Sequence, residues 1–192
     1  MLSELKESKK DVNPIDLKNN KDEKELAKEE LIFNIQTLVA EGKYKEADKI
    51  IKLSLSKNYN DPQMLSLSAL VAVAMQDWVQ AIARLHVVIK IQGEDTPPLP
   101  HLLLIRSYRC SGQLIEAMKA AELAVKTHAN NEEIVNEAAI IAEDLGEWES
   151  AALALEVLIE MHEMDGKEIP VALKTRLQTA KSLSEVLKAE DK

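Results

Sequence analysis

The sequence predicts an all-α protein, a solenoid of antiparallel helix pairs, on two observations. A short pattern, Gly-x-aromatic-x-x-Ala or a close variant, occurs four times, with its alanines at Ala47, Ala81, Ala117 and Ala151. Their spacings of 34, 36 and 34 residues are typical of stacked repeats rather than of a domain with a single core. The chain also holds only 5 Gly and 6 Pro in 192 residues, too few for the many tight turns of an all-β protein.

The first helical pattern begins at Glu23 and ends before Gly42. Its apolar residues recur at helical spacing: Leu26, Leu31, Ile35, Leu38 and Val39. Residues 1–22 are polar and of mixed charge, so we expect a flexible N-terminal segment there. A second helix is predicted from Tyr44 to Ser56.

The rest of the chain repeats this arrangement. Asp61 is suited to cap a helix that starts with Pro62, and Gly112 and Gly146 stand where a helix ends in a left-handed residue. We predict further helices over about 63–75, 78–91, 98–110, 113–127, 132–144 and 147–162. The repeat region, 23–168, then divides into repeats of about 28–61, 62–95, 98–131 and 132–165. An amphipathic helix over 169–188 is expected to cap the stack, with a tail at 189–192.

Charge and composition exclude several classes of function. The net charge is −9, and residues 132–168 hold 12 Asp or Glu against one Lys, which disfavours nucleic acids and anionic membranes as partners. The longest apolar run, Met64 to Met75, is shorter than the roughly 20 residues of a membrane span. Cys110 is alone, and the N-terminus has no apolar signal stretch. We therefore expect a soluble, cytoplasmic, bacterial protein without membrane insertion.

The repeated pattern resembles the tetratricopeptide repeat (TPR), a helix-turn-helix unit of 34 residues. The clearest matches are Gly42-x-Tyr44-x-x-Ala47 and Gly146-x-Trp148-x-x-Ala151. The residue four positions after the motif alanine is large in three of the four repeats. These residues are Ile51, Leu85 and Leu155, and the third repeat has Ala121 instead. The Pro that usually ends each repeat is missing, and its place is taken by Tyr59, Gly93, Ala129 and Glu163. The resemblance covers about residues 28–165.

The resemblance implies that the first helix of each repeat lines a concave, partner-binding groove. The groove residues expected from the register are Ile32, Gln36, Ser66, Leu70, Val73, Leu102, Arg106, Arg109, Asn136 and Ile140. The family's carboxylate clamp uses Lys and Asn at two of these helix positions. One position here holds Ile32, Ser66, Leu102 and Asn136, and the other holds Gln36, Leu70, Arg106 and Ile140. The clamp is therefore absent, and a chaperone-tail receptor is not predicted.

Two features of this groove allow alternative interpretations. Arg106 and Arg109 are three residues apart, hence on one helix face, and two guanidinium groups there can hold a partner's carboxylate. Alternatively, they pair with Glu133, Glu137 or Glu143 of the next repeat. The apolar groove positions likewise either receive a partner or are buried within the superhelix.

The sequence shows no pattern typical of an enzyme. Its four His are scattered over different repeats without a second ligand at metal-binding spacing, and there is no glycine-rich phosphate loop. We therefore predict no catalytic, cofactor or metal residues. The leading hypothesis is an adaptor or scaffold that binds a protein or peptide segment, as an accessory to bacterial surface-polysaccharide or secretion machinery. The alternatives are a self-assembling homo-oligomer that packs through Trp78, Trp148 or the groove, and a secretion chaperone.

Overall fold

The computed structural model describes residues 14–190, and every regular element in that range is helical. The α-helices are α1 (Pro14–Ala40), α2 (Tyr44–Lys57), α3 (Pro62–Ala74), α4 (Trp78–Gln92), α5 (Pro98–Cys110), α6 (Leu114–Thr127), α7 (Glu132–Leu145), α8 (Trp148–Met164) and α9 (Val171–Glu190). A single 3₁₀ turn, Gly93–Asp95, follows α4 within this range. The helices from α2 to α9 begin and end within two residues of the predicted positions.

The largest difference from the sequence prediction lies at the N-terminus. Helix α1 begins at Pro14 rather than at Glu23, so the described part of the segment 1–22 is helical. Proline is well tolerated at the first helical position, and no Gly or Pro interrupts residues 15–40. Residues 1–13 of that segment, and residues 191–192 of the predicted tail, lie outside the described residues.

Local side-chain caps explain where several helices begin. The Asp61 carboxylate accepts hydrogen bonds from the backbone N–H groups of Gln63 and Met64, at 3.0 and 3.2 Å, at the start of α3. Asn131 does the same for α7, accepting from the Ile134 N–H at 3.0 Å. Each cap satisfies a backbone donor that has no partner within the helix.

The turn inside each helix pair has one recurrent geometry. Gly42, Gly112 and Gly146 have φ angles of 73°, 77° and 73°, in the left-handed region that favours glycine. Gln76 stands at the equivalent place with φ 57°, although it carries a Cβ. In each of the four turns, the next residue donates its N–H to the carbonyl five positions earlier, as from Asp77 to Ala72 at 2.9 Å. This bond closes the preceding helix in the Schellman manner.

The described chain forms two compact units, with the boundary inside α2 after Ala47. The first unit consists of α1 and the first residues of α2. Ile35 and Ala47 are fully buried, whereas Leu26 and Phe33 are exposed.

The second unit is a stack of helix pairs. Helix α3 packs against α4, α5 against α6, and α7 against α8, and each pair contacts the next through α4–α5, α6–α7 and α8–α9. The first helices also touch along the stack, α3 with α5 and α5 with α7. Ala81, Ala117 and Ala151 have no exposed surface, because their small side chains let neighbouring helices approach closely. This nearest-neighbour packing is the arrangement of an α-solenoid.

Helix α9 closes the stack after α8. Its Leu173 and Ala180 are buried in one core cluster with Ala151, Leu155 and Leu158 of α8. The opposite face carries polar and charged side chains, which suits a terminal helix with one face in water. Within residues 14–190, no helix is both long enough and apolar enough to cross a membrane.

Candidate protein-binding surface

The predicted groove residues differ widely in their accessibility. In the first unit, Ile32 is half-buried and Gln36 is exposed. In the second unit, all but two of the predicted groove residues are half-buried. The half-buried residues are Ser66, Val73, Arg106, Arg109, Asn136 and Ile140. The exceptions are Leu70, which is 36% exposed, and Leu102, which is 5% exposed. Leu102 belongs to a core cluster with Ile105 and Ile134, so it contributes little surface to a partner.

The two arginines of α5 are bonded to α7. Arg106 Nε donates to Glu137 Oε1 at 2.6 Å, and Arg109 Nε donates to Glu137 Oε2 at 3.1 Å. Arg106 Nη2 also donates to Glu133 at 3.2 Å. Glu137 is only 3% exposed, so both of its oxygens are satisfied by buried or half-buried donors. Pairing within the chain, one of the two alternatives left open by the sequence, is therefore what the structure shows.

The charges reinforce one another in this cluster. Burial of the Arg106 guanidinium opposes its positive charge, but the hydrogen bond and charge of Glu137, together with Glu133, raise the pKa of Arg106 above its usual range. A partner's carboxylate would have to displace a buried, doubly bonded glutamate to reach these arginines. We conclude that Arg106 and Arg109 join α5 to α7 and do not form an open anion site.

A second arginine cluster joins α7 to α9. Arg176 donates from Nε and Nη2 to the Glu143 carboxylate, with the shortest bond 2.8 Å, and from Nη1 to Asn136 Oδ1 at 2.9 Å. This two-pronged geometry is specific to the planar guanidinium group. Asn136, predicted to line the groove, is therefore held by the capping helix.

Apolar side chains occupy positions near the end of α3 and at the start of α5. Leu99 at the start of α5 is 56% exposed, Leu70 of α3 is 36% exposed, and Val73 is half-buried. We call Leu70, Val73 and Leu99 the apolar face. The first helices of the second unit thus carry apolar side chains on α3 and at the start of α5, and an ionic region in which α5 and α7 bond to each other and α7 bonds to α9.

A further charged cluster lies where α8 ends near the start of α7. His162 Nε2 is 3.0 Å from Glu132 Oε1, and Lys167 is 3.4 Å from the other oxygen of Glu132 and 2.9 Å from Asp165. The hydrogen bond with His162, followed by that with Lys167, lowers the pKa of Glu132. The Glu132, Lys167 and Asp165 side chains are 45–58% exposed, and only that of His162 is mostly buried, so we assign this cluster a local structural role.

Comparisons with known proteins find similar structures, but no matching family model or curated sequence. A crystal structure of MamA is similar with a TM-score of 0.70 and 14% identity, over 81% of each chain. The Sgt2 TPR domain from Aspergillus fumigatus is similar with a TM-score of 0.53 and 23% identity, over 68% of this chain and 82% of that one.

The chain has the tetratricopeptide repeat fold. A third TPR-like neighbour is in the structure of Naa15/Naa10 bound to HypK-THB, with a TM-score of 0.62 and 18% identity. That match covers 83% of this chain but 23% of the other, so this TPR stack resembles part of a longer protein. These structural similarities establish the fold, which agrees with the prediction of an all-α solenoid.

The importance of two residues in the TPR stack was not anticipated. Glu137 entered the sequence argument as one of three acidic candidates, and nothing in the register marked it as the buried partner of both arginines. Arg176 did not enter the sequence argument, which expected of its helix only that it caps the stack. One signal was available: the chain has only four Arg, and all four form ion pairs between helices, including Arg84 of α4 with Asp48 at 3.4 Å.

The TPR stack contains no evident metal centre among its described residues, where no three His, Cys, Asp or Glu side chains cluster. Cys110, at the end of α5, is exposed and free. Neither observation bears on catalysis by itself. The feature of this surface that calls for a functional explanation is the apolar face, since Leu70 and Leu99 are exposed on helices that are expected to bind partners.

Proposed function

We propose that this protein is an adaptor or scaffold that binds a segment of another protein along its first helices, with the apolar face as the main contact. The observation that carries the proposal is the exposure of Leu70 and Leu99 on α3 and α5 of a TPR fold. The TPR-like neighbour Naa15/Naa10 is bound to HypK-THB in its solved structure, which supports a binding role for folds of this kind. The predicted groove residues Ile32, Gln36 and Ile140 belong to the same proposal.

The ionic region indicates what kind of segment is bound. Because Glu137 already occupies Arg106 and Arg109, a free carboxylate gains little there. An apolar side chain placed against Leu70 or Leu99 removes surface from water on both partners, worth about 1.5–3 kcal/mol for a fully buried Leu. We therefore propose a segment that presents apolar side chains, either extended or as an amphipathic helix.

Affinity capture with matched variants tests this proposal. Leu99→Asp places a charge on the apolar face, and Val79→Asp makes the same change at a position of α4 that is 76% exposed. We expect Leu99→Asp to weaken capture of the partner at least about tenfold, as a loss of 1.4 kcal/mol implies. Val79→Asp should leave it unchanged, and both variants should keep the wild-type thermal midpoint. Equal capture by all three proteins would refute the apolar face as the binding site.

The identity of the captured protein tests the finer assignment. The fourth motif, Gly146-x-Trp148-x-x-Ala151, resembles TPR segments found beside bacterial surface-polysaccharide enzymes. We propose an accessory role to surface-polysaccharide or secretion machinery on that basis, in the cytoplasm. Capture of a component of either machinery would support it. Capture of an exported substrate held before secretion would favour the alternative of a secretion chaperone, and an unrelated partner would exclude both.

Self-assembly is a second candidate, and a specific observation favours it. Three apolar side chains of α4 are at least 41% exposed: Val79, Val87 and Ile91. The first two are eight residues apart, and the last two are four residues apart. Such a row is self-complementary and suits a twofold contact between copies. Sedimentation equilibrium over a wide concentration range would show a dimer that Val79→Asp dissociates. A wild-type mass that stays monomeric throughout would remove this candidate while leaving the adaptor proposal untouched.

A further inference from the structure

Two histidines face each other at the end of the α5–α6 pair. His101 lies in the second turn of α5, and His128 follows directly after α6. Their ring centroids are 5.2 Å apart with an angle of 61° between the planes. His101 is 6% exposed, and the Nε2 atom of His128 is buried without a hydrogen-bond partner among the described residues. Edge-to-face packing explains the distance between the rings, but not the unpartnered nitrogen.

The next repeat has a histidine at the same position, and its ring does find a partner. Gln92, His128 and His162 each lie eleven residues after a motif alanine, at the end of the second helix of their pair. His162 Nε2 finds the Glu132 carboxylate at 3.0 Å. In the register of Glu132, 34 residues earlier, the α5–α6 pair has Pro98, which offers no side-chain acceptor. His128 therefore faces a second imidazole where His162 faces a carboxylate.

The geometry brings two imidazole rings together and leaves one ring nitrogen without a partner among the described residues. Metal ions bind the neutral form of imidazole. Two imidazoles on one tetrahedral ion, each with a metal–nitrogen bond of about 2.0–2.1 Å, have ring centres roughly 5 Å apart. The observed distance fits that arrangement.

We propose that His101 and His128 form a two-histidine site for a divalent first-row transition-metal ion. Imidazole nitrogen selects Zn²⁺, Ni²⁺ and Cu²⁺ over Mg²⁺ and Ca²⁺, which prefer oxygen ligands. Because no cluster of three potential ligands exists among the described residues, water or an external ligand takes the remaining coordination positions. The site joins the start of α5 to the end of α6, so a bound ion holds this helix pair together.

Calorimetric titration of Zn²⁺ into the full chain, carrying no polyhistidine tag, tests the site. The chain has four His, so His86→Gln and His162→Gln serve as matched controls for His101→Gln and His128→Gln. We expect one equivalent of Zn²⁺ to bind at about pH 7.5, and either variant of the pair to weaken it by about tenfold or more. The controls should bind as wild type does, and lowering the pH to about 5.5 should release the ion, because protonated imidazole cannot bind a metal. Binding that is unaffected by both substitutions, or no binding at all, would overturn the proposal.

A second measurement needs no substitution and covers the case in which His101→Gln fails to fold. Imidazole resonances in the nuclear magnetic resonance spectrum report each histidine of the intact chain separately. We expect Zn²⁺ to shift the resonances of His101 and His128 together, with the same midpoint, and to leave those of His86 and His162 in place. Shifts confined to His162 would place the ion at the Glu132 cluster and refute the two-histidine site.

Discussion

Glu137 is the residue whose substitution tests the packing of the stack most directly. Glu137 is 3% exposed, and its carboxylate accepts hydrogen bonds from Arg106 at 2.6 Å and from Arg109 at 3.1 Å. Removing one partner of a fully buried ion pair costs about 3–5 kcal/mol. The two arginine side chains here keep 40% and 30% of their surface in water, so they can be rehydrated when the carboxylate is lost. We therefore expect Glu137→Gln to lower the free energy of unfolding by about 1.5–3 kcal/mol, the range for hydrogen bonds to charged groups.

Glu133→Gln is the matched control, because Glu133 contacts the same Arg106 at 3.2 Å but its side chain is 65% exposed. Exposed ion pairs contribute about 0–1 kcal/mol and are screened by salt. Urea unfolding followed by circular dichroism, at low salt and in about 1 M NaCl, compares the variants with wild type. We expect Glu133→Gln to have a small effect that disappears in salt, and Glu137→Gln a large one that persists. Equal effects of both substitutions, or a change below about 0.5 kcal/mol for Glu137→Gln, would refute the buried-pair argument.

Three smaller predictions follow from local geometry. Gln76→Gly should stabilise the protein by up to about 1 kcal/mol, because Gln76 has a φ of 57° that costs an L-residue roughly that amount; an unchanged thermal midpoint would contradict this. Asp61→Ala should cost about 1 kcal/mol in urea unfolding, since the Gln63 and Met64 N–H groups lose their acceptor, whereas Asp61→Asn should restore most of it. The pKa of His101 is lowered in the folded state, so the unfolded chain binds more protons below about pH 6.5 and stability should fall between roughly pH 7 and 5. His101→Gln should flatten that slope, and an equally steep profile in the variant would assign it to another group.

The helices were largely predictable because their signals are local. The Asp61 cap and the glycines Gly112 and Gly146 act through the residues next to them, so position in the sequence is enough to identify them. Gln76 shows the limit of this reasoning. The turn closes with the same hydrogen bond from Asp77 to Ala72, although the residue in the left-handed conformation is not glycine. Tertiary packing of α3 on α4 enforces the geometry there at some conformational cost.

The candidate site was predicted less well, because accessibility depends on neighbours that are distant in the chain. The register assigned Leu102 and Leu70 to the same face, yet Leu102 is buried with Ile105 and Ile134 while Leu70 remains 36% exposed. The register could likewise place Arg106 and Arg109 together but could not choose between a partner's carboxylate and an intramolecular one. That choice depends on where α7 presents Glu137, a residue 31 positions from Arg106.

The sequence by itself determined the helical repeat, its period and most helix bounds, since spacing, capping residues and turn glycines act within a few residues. Tertiary structure alone decided which residues of the predicted groove stay accessible. Packing pairs Arg106 and Arg109 with Glu137, and Asn136 with Arg176. Leu70 of the apolar face stays exposed. The physical reason is that burial and ion pairing are properties of groups brought together by packing, and helical periodicity specifies the face of a helix without specifying what covers it.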